Sequence, residues 1–287
     1  MSTASKVWLI TGCSSGLGRE LALAALARGD RVIATARNAN KLDDLKQRGA
    51  AAVSLDVTSP DHVLQQIIAD AVSVYGRIDI LVNNAGYVLQ GAVEECSASE
   101  IYDQFNTNVF GITNMIRAVL PYLRAQKSGV VANVGSIAGW RGGSVTGIYS
   151  ASKFAVAGLS ESLRAEVAHL GIEVTSVDFG AFRTILFGEN MIQAKNTIDD
   201  LSVITEPRTK ALAARSGHQR GDPVKAAALL YEALTKSGRC EGRTIPSRLV
   251  IGKDAVEGVA IVLEKGQQEL QAWADLSTTT DCDDVAQ

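Results

Sequence analysis

Two residues able to exchange a proton stand four positions apart in Tyr149-Ser150-Ala151-Ser152-Lys153. On a helix that spacing puts both side chains on one face. A free phenol has a pKa of about 10 and is mostly protonated at neutral pH. An ammonium about 4 Å away stabilises the phenolate by roughly 4 kcal/mol at an effective dielectric of ~20. That corresponds to at most about three pKa units, which would bring the tyrosine near 7, where a group gives and takes protons efficiently. The same spacing also suits an ordinary exposed helix pair, so its meaning depends on what surrounds it.

A second stretch has the character of an anion cradle. Thr11-Gly12-Cys13-Ser14-Ser15-Gly16-Leu17-Gly18 follows the apolar run Val7–Ile10 and leads into an Ala/Leu-rich segment ending near Arg28. Glycines let backbone approach a ligand closely, and the helix that follows offers free N–H groups and a positive dipole end to a pyrophosphate. A tight turn without a ligand is the plain alternative; the position between strand and helix, opening a βαβ unit, favours the cradle. In dinucleotide folds an acidic residue at the end of the second strand holds the adenosine ribose. Here that strand, Arg31–Ala36, ends on Ala36 and is followed by Arg37. A guanidinium holds a 2′-phosphate that a carboxylate would repel, so NADP(H) is expected rather than NAD(H), unless Arg37 is merely a solvated arginine. Asp56, after the third strand, either accepts from the adenine amino group or caps a turn.

These groups need a scaffold, and the chain supplies one by alternation. Apolar runs at Val7–Ile10, Arg31–Ala36, 52–55, 78–82, 130–134, 172–177 and Arg248–Ile251 read as strands. Between them lie segments with 3.6-residue spacing. Ile112, Met115, Ile116, Val119, Leu120 and Leu123 share one face, and so do Val156, Leu159, Leu163, Val167 and Leu170. A further helix is expected to start with Ser59 as N-cap and Pro60 in the first turn, and to stop at Gly76. Others span 223–236 and 254–276. Strands alternating with helices imply βαβ units and a parallel sheet covered on both faces, an α/β fold in a single domain over residues 1–287. From about 185 to 222 the periodicity fades, as in a substrate lid. Residues 277–287 are expected to fray.

With these pieces in place the sequence resembles the short-chain dehydrogenase/reductase family. TGCSSGLG at 11–18, NNAG at 83–86, Asn108 in NVFG, Ser136 in VGS and YSASK at 149–153 occur in that family's order. The opening WLITGCSSGLG and the GAFRT at 180–184 are similar to the branch near 17β-hydroxysteroid and retinol dehydrogenases. The resemblance implies a Rossmann-type doubly wound sheet. It implies that Tyr149 protonates the substrate oxygen as hydride arrives, that Lys153 also holds the nicotinamide ribose, and that Ser136 fixes the substrate oxygen. Asn108 would hold a water chain that reprotonates Tyr149. Cofactor contacts are implied at Gly12, Ser14, Ser15, Gly16, Leu17, Gly18, Arg37, Asp56, Val57, Asn83, Ala85, Gly86, Gly180, Phe182 and Thr184. Two positions depart from the family: Phe179-Gly180 replaces Pro-Gly, and Gly135 stands where serine is common.

Phe179, Phe182 and Phe187 fall within nine positions of a chain with only six Phe, and Trp140 and Tyr87 follow two of the motifs. A pocket lined by them would favour a flat or cyclic apolar ketone, although they could equally pack against the lid. Arg141 meets either an anionic group or solvent. Small residues at Ala151, Ala155, Gly158 and Ser162 would let another helix approach, and in the resembling family this helix and the one at about 107–124 often build a subunit interface. A homodimer or homotetramer is expected.

Composition narrows the classes. With 28 Lys+Arg against 31 Asp+Glu the net charge is −3, which gives no electrostatic footprint for nucleic acid. Four scattered cysteines without a CxxC, and three histidines without an HExxH, predict neither a metal site nor a disulfide framework. The polar start MSTASKVWLI is no secretory signal, and no apolar run approaches ~20 residues, so a cytoplasmic protein off the membrane is expected. The leading reading is an NADPH-dependent carbonyl reductase. Its rivals are the same chemistry in the oxidising direction, a non-catalytic NADPH-binding regulator, and a non-redox biosynthetic catalyst on the same fold. The Asn108, Ser136, Tyr149, Lys153 set argues against the last two, because a binding protein needs no proton relay.

Overall fold

The computed structural model describes residues 5–188 and 190–282. Its strands are β1 Val7–Ile10, β2 Arg31–Ala36, β3 Ala51–Ser54, β4 Ile80–Asn83, β5 Val88–Gln90, β6 Gly129–Val134, β7 Ile172–Phe179, β8 Met191–Gln193 and β9 Arg248–Ile251. The α-helices are α1 Gly16–Leu26, α2 Asp43–Gln47, α3 Asp61–Tyr75, α4 Ala98–Phe105, α5 Gly111–Gln126, α6 Gly147–Val167, α7 Ser202–Arg215, α8 Pro223–Thr235 and α9 Lys253–Ser277. Seven strands form one sheet in the order β3-β2-β1-β4-β6-β7-β9, every pair parallel. This is the doubly wound α/β sheet that the alternation of runs implies. The order reverses between β1 and β4, so loops leaving their carboxyl ends diverge to opposite faces and open a crevice there.

Both faces of the sheet are covered, which is why its strands are apolar throughout. All four residues of β1 and of β4 are buried. One layer joins Trp8, Ile10, Val32 and Ala34 to Leu21 and Ala25 of α1 and to Leu230 and Leu234 of α8. The opposite layer joins Leu9, Ile33 and Leu81 to Leu64 and Ile68 of α3, Met115 and Val119 of α5, and Val156 and Leu163 of α6. Each such side chain removed from water contributes about 1.5–3 kcal/mol. The helical stripes of α5 and α6 therefore face the core, with Leu120, Leu159 and Leu170 only partly covered. Asp30 ties the first layer together: its Oδ2 accepts from Trp8 Nε1 at 2.8 Å and from Tyr231 Oη at 3.0 Å.

Boundaries shift from the sequence reading by one or two residues. The third helix starts at Asp61 with Pro60 as its cap, so Ser59 lies one place outside, while Gly76 ends it at φ 75°. Residues 185–222 carry more structure than the lost periodicity suggested: β8 pairs with β5, and α7 runs fourteen residues with none of them buried. The tail expected to fray continues α9 through a short turn at Thr278–Thr280, and residues 283–287 lie outside the described residues. Along α9 only Ala255, Gly258 and Val259 are buried. Among the described residues no helix is long and apolar enough to cross a membrane.

Candidate active site

The glycine-rich turn leaves β1 through Thr11, whose Oγ1 accepts from the backbone N–H of Asn84 at 2.9 Å and of Ala85 at 3.0 Å. Asn84 in turn donates through Nδ2 to the carbonyls of Thr11 at 2.9 Å and Gly12 at 3.1 Å. The 83–86 segment is thus fastened directly onto the turn. Gly12 sits at φ 70°, and a Cβ there would stand 2.9 Å from Ala85 Cα; a Cβ on Gly18 would strike Asn84 Nδ2. Ser15 caps α1 by position but its side chain makes no capping bond, and the first turn holds no acid. Its N–H groups are left to a ligand, the arrangement that suits a pyrophosphate. Arg37 is exposed beside this turn, where its side chain meets the same cleft. Asp56 keeps one oxygen on its own turn, accepting from Thr58 N at 2.9 Å and Thr58 Oγ1 at 2.7 Å.

Further along, Tyr149 and Lys153 occupy the first two turns of α6 and both are buried. Lys153 donates from Nζ to Val134 O at 2.7 Å, and its nitrogen lies 5.7 Å from the Tyr149 ring centre. The close attraction expected from the sequence is therefore weaker here than burial. Burial pushes the Tyr149 phenol up to about 12, with the Ser136 hydroxyl working against it by hydrogen bonding. The same burial brings the Lys153 ammonium down to about 8, and the Asp178 carboxylate opposes that fall. Ser136 follows β6 in extended backbone and opens a turn at Ile137–Gly139, its Oγ accepting from Ala138 N at 3.1 Å.

Asn108 lies on a π-helical turn, Asn106–Phe110, that joins α4 to α5. Such turns recur at functional sites. Its Oδ1 accepts from Tyr87 N at 3.2 Å, and its Nδ2 donates to Tyr87 O at 3.0 Å and to Ser152 Oγ at 3.3 Å. Ser152 donates on to Tyr149 O at 2.6 Å. Asn108 thus ties the 83–87 segment to the first turn of α6 and stands behind the cleft wall.

One open cleft of ≈ 720 Å³ is lined by Arg37, the glycine turn, Ser136, Tyr149 and Lys153, and by Phe179, Phe182 and Phe187. Gly12, Ser14, Ser15, Gly16, Leu17, Asp56, Val57, Ala85, Gly86, Gly180 and Thr184 also line it. Four residues named from the sequence do not. Gly18 is pressed against Asn84, and Asn108 is engaged as described. Asn83 turns into the core, donating to Asn133 Oδ1 at 2.8 Å. Trp140 is a correction of substance: its Nε1 donates to Asp178 Oδ2 at 2.7 Å, and Arg248 lies 3.7 Å over its ring. The indole is held on its N–H edge and one face, half-buried and outside the cleft lining. Among the lining residues that sequence reasoning missed are Asn84 inside the NNAG motif and Ile137 in the turn after Ser136; of these two only the first had a sequence signal.

The far wall belongs to the 185–222 segment. Ile185, Leu186, Leu212 and Arg215 face the cleft, and the segment is fastened from the body side. Gln90 Nε2 donates to Thr209 Oγ1 at 2.9 Å, and Gln193 donates back to Gln90 Oε1 at 2.7 Å. Glu95 and Glu100 accept from the backbone N–H of Ile198 at 3.2 Å and Lys195 at 3.1 Å. The Ser97 hydroxyl and N–H hold the Glu100 carboxyl below the usual carboxylate range, so that latch stays ionised at neutral pH.

Comparison with known proteins adds the following. The sequence profile described as "short chain dehydrogenase" matches residues 6–194. The oxidoreductase BOA17 of Botryotinia fuckeliana is 36% identical over 278 residues, covering 95% of this chain and 98% of its own. A short-chain dehydrogenase from Streptomyces avermitilis superposes with a TM-score of 0.87 at 42% identity, covering 98% of this chain and 100% of that one. A short-chain dehydrogenase/reductase of Burkholderia phymatum, solved in complex with NAD, shares the fold at 24% identity and a TM-score of 0.76 over 93% and 95% of the two chains.

Proposed function

The chain belongs to the short-chain dehydrogenase family, and on that footing we propose that this oxidoreductase reduces an apolar cyclic or aromatic ketone or aldehyde with NADPH. The observation that carries the reading is the convergence of Ser136, Tyr149 and Lys153 on a cleft continuous with the uncapped first turn of α1 and with Arg37. The preference for NADPH rests on that arginine: no carboxylate stands at Ala36 to repel a 2′-phosphate, and the guanidinium fork suits one. The preference for an apolar substrate rests on Phe179, Phe182, Ile185, Leu186 and Phe187, which line the same cleft as Tyr149.

The reduced nicotinamide, when bound, supplies the hydride to the carbonyl carbon. Every other part falls to this chain. Backbone N–H groups of the 12–18 turn hold the pyrophosphate, and Lys153 holds a ribose hydroxyl with its ammonium. Ser136 donates to the carbonyl oxygen and fixes its distance from Tyr149, which yields its proton to that oxygen as negative charge develops. At neutral pH burial keeps this phenol protonated, the form that donates in the reduction. Segment 185–222 serves as the lid: it closes the apolar end and keeps water from the reacting carbon.

We place the protein in the cytoplasm as a homo-oligomer. Its cysteines are free, and Tyr102, Phe110 and Phe154 stand exposed beside Ala151, Gly158 and Ser162 on one face of α4–α6. The test of function is a panel of ketones and aldehydes followed by NADPH absorbance. Turnover highest with cyclic or aromatic ketones supports the reading; NADPH binding without turnover on any member overturns it.

A further inference from the structure

Asp178 is almost wholly buried near the end of β7 and does not itself line the cleft. Its Oδ1 accepts from Ser176 Oγ at 2.7 Å. Its Oδ2 accepts from Trp140 Nε1 at 2.7 Å and from Arg248 Nε at 2.7 Å. Arg248 comes from the first position of β9, paired in register with Ser176, and its Nη2 reaches past Asp178 to donate to Gly139 O at 3.1 Å. The guanidinium also covers the Trp140 ring. Two of these partners, Arg248 and Trp140, meet at the short turn Ile137–Gly139 and its last neighbour, while Ser176 holds the other carboxylate oxygen from within β7. The turn is also held by its own bonds and by its packing on α6: Ala138 N donates to Ser136 Oγ at 3.1 Å, Gly139 N to Ser136 O at 2.8 Å, Trp140 N to Ile137 O at 3.0 Å and Gly135 N to Val177 O at 2.9 Å, and a Cβ on Gly139 would stand 2.8 Å from Lys153 O. Gly135 belongs to the same device, because a Cβ there would run into Asp178 Oδ1. The missing serine at 135 and the acid at 178 are two sides of one fit.

We propose that the Asp178–Arg248 pair, with Trp140 held between its members, is the positioning device of Ser136: it clamps the turn that aims the serine hydroxyl at the Tyr149 phenol. The inference rests on the carbonyl-reductase reading for its kinetic consequence but not for its structural one. A buried ion pair is weak support for stability, since an apolar pair of similar size often serves as well. A forked cation that joins an acid, an indole and a carbonyl in one turn is better understood as fixing geometry, and catalysis by placement is sensitive to that geometry.

Trp140→Phe keeps an aromatic ring under the guanidinium but removes the N–H together with one ring of the indole. Hydrogen exchange of the 137–140 amides should quicken about tenfold and that of the sheet should stay unchanged. kcat should fall about tenfold, with NADPH affinity within about twofold of the parent. In a Ser136→Ala background the same change should cost less than about twofold, because its effect runs through the serine. Arg248→Lys keeps the charge but loses the fork, and it should reproduce both patterns. Unchanged exchange at 137–140, or an equal kcat penalty with and without Ser136, overturns the proposal. If the parent protein turns over no carbonyl at all, the exchange result still decides the clamp, and it is the reductase reading that fails.

Discussion

The two ends of the cleft are built by different physics. At the nucleotide end, β1, the glycine turn and α1 are held by buried strands and by positions where a single added carbon collides, as at Gly12 and Gly18. At the proposed substrate end, α7 buries none of its residues and is tied by one side-chain bond from Gln90 to Thr209, while Glu95 and Glu100 hold the backbone of Ile198 and Lys195 just before it. The first end can accept one shape of ligand. The second can open by breaking a few hydrogen bonds, each worth about 1 kcal/mol net, without disturbing the core. Under the function proposed above, that division would give fixed recognition of the cofactor and adjustable enclosure of the substrate, with Tyr149 at the seam.

Substitutions that touch one end alone test it. The largest effect is expected at the seam: Tyr149→Phe should lower kcat by about 10²–10⁴-fold while NADPH binding, followed by fluorescence titration, changes little. A variant that keeps most of its turnover would remove the phenol from the reaction. Arg37→Asp should cut the preference for NADPH over NADH by more than about tenfold and leave the KM for ketone alone, since only the nucleotide end meets that side chain. A shift in ketone KM would show that the ends are not separable. Next comes the pH profile. Lys153 is an ammonium below about 8 and neutral above it, so kcat/KM for reduction should decline as pH rises through that value. Lys153→Arg, charged throughout that range, should flatten the decline. The smallest effect belongs to the lid: Thr209→Val removes one bond to Gln90 and should raise ketone KM about fivefold with NADPH affinity intact.

Much of the nucleotide end was legible in the sequence because it is written locally. Strand, glycine turn and helix follow one another in residues 7–26, and apolar strands buried on both faces leave a continuous signature. The lid was legible only as a loss of pattern. β5 and β8 are three residues each, too short to show alternation, and α7 lies on the surface with no apolar stripe to betray it. Trp140 misled for a further reason: its partner Asp178 is 38 residues away, and nothing near either position announces the contact. Asn83 and Asn84 show the limit of a motif, since adjacent residues of β4 and its exit face opposite ways and the motif does not say which one meets the turn. For Tyr149, spacing reports only that Lys153 is a neighbour, whereas the burial that pushes the phenol up is not written locally.

The interlock of Gly135 with Asp178 has a consequence for descent. A lineage starting from this chain cannot gain a side chain at 135 while the acid remains, and it cannot discard the acid without stranding Arg248. The two positions are therefore bound to be inherited together, and any intermediate that changes one of them alone passes through a damaged protein.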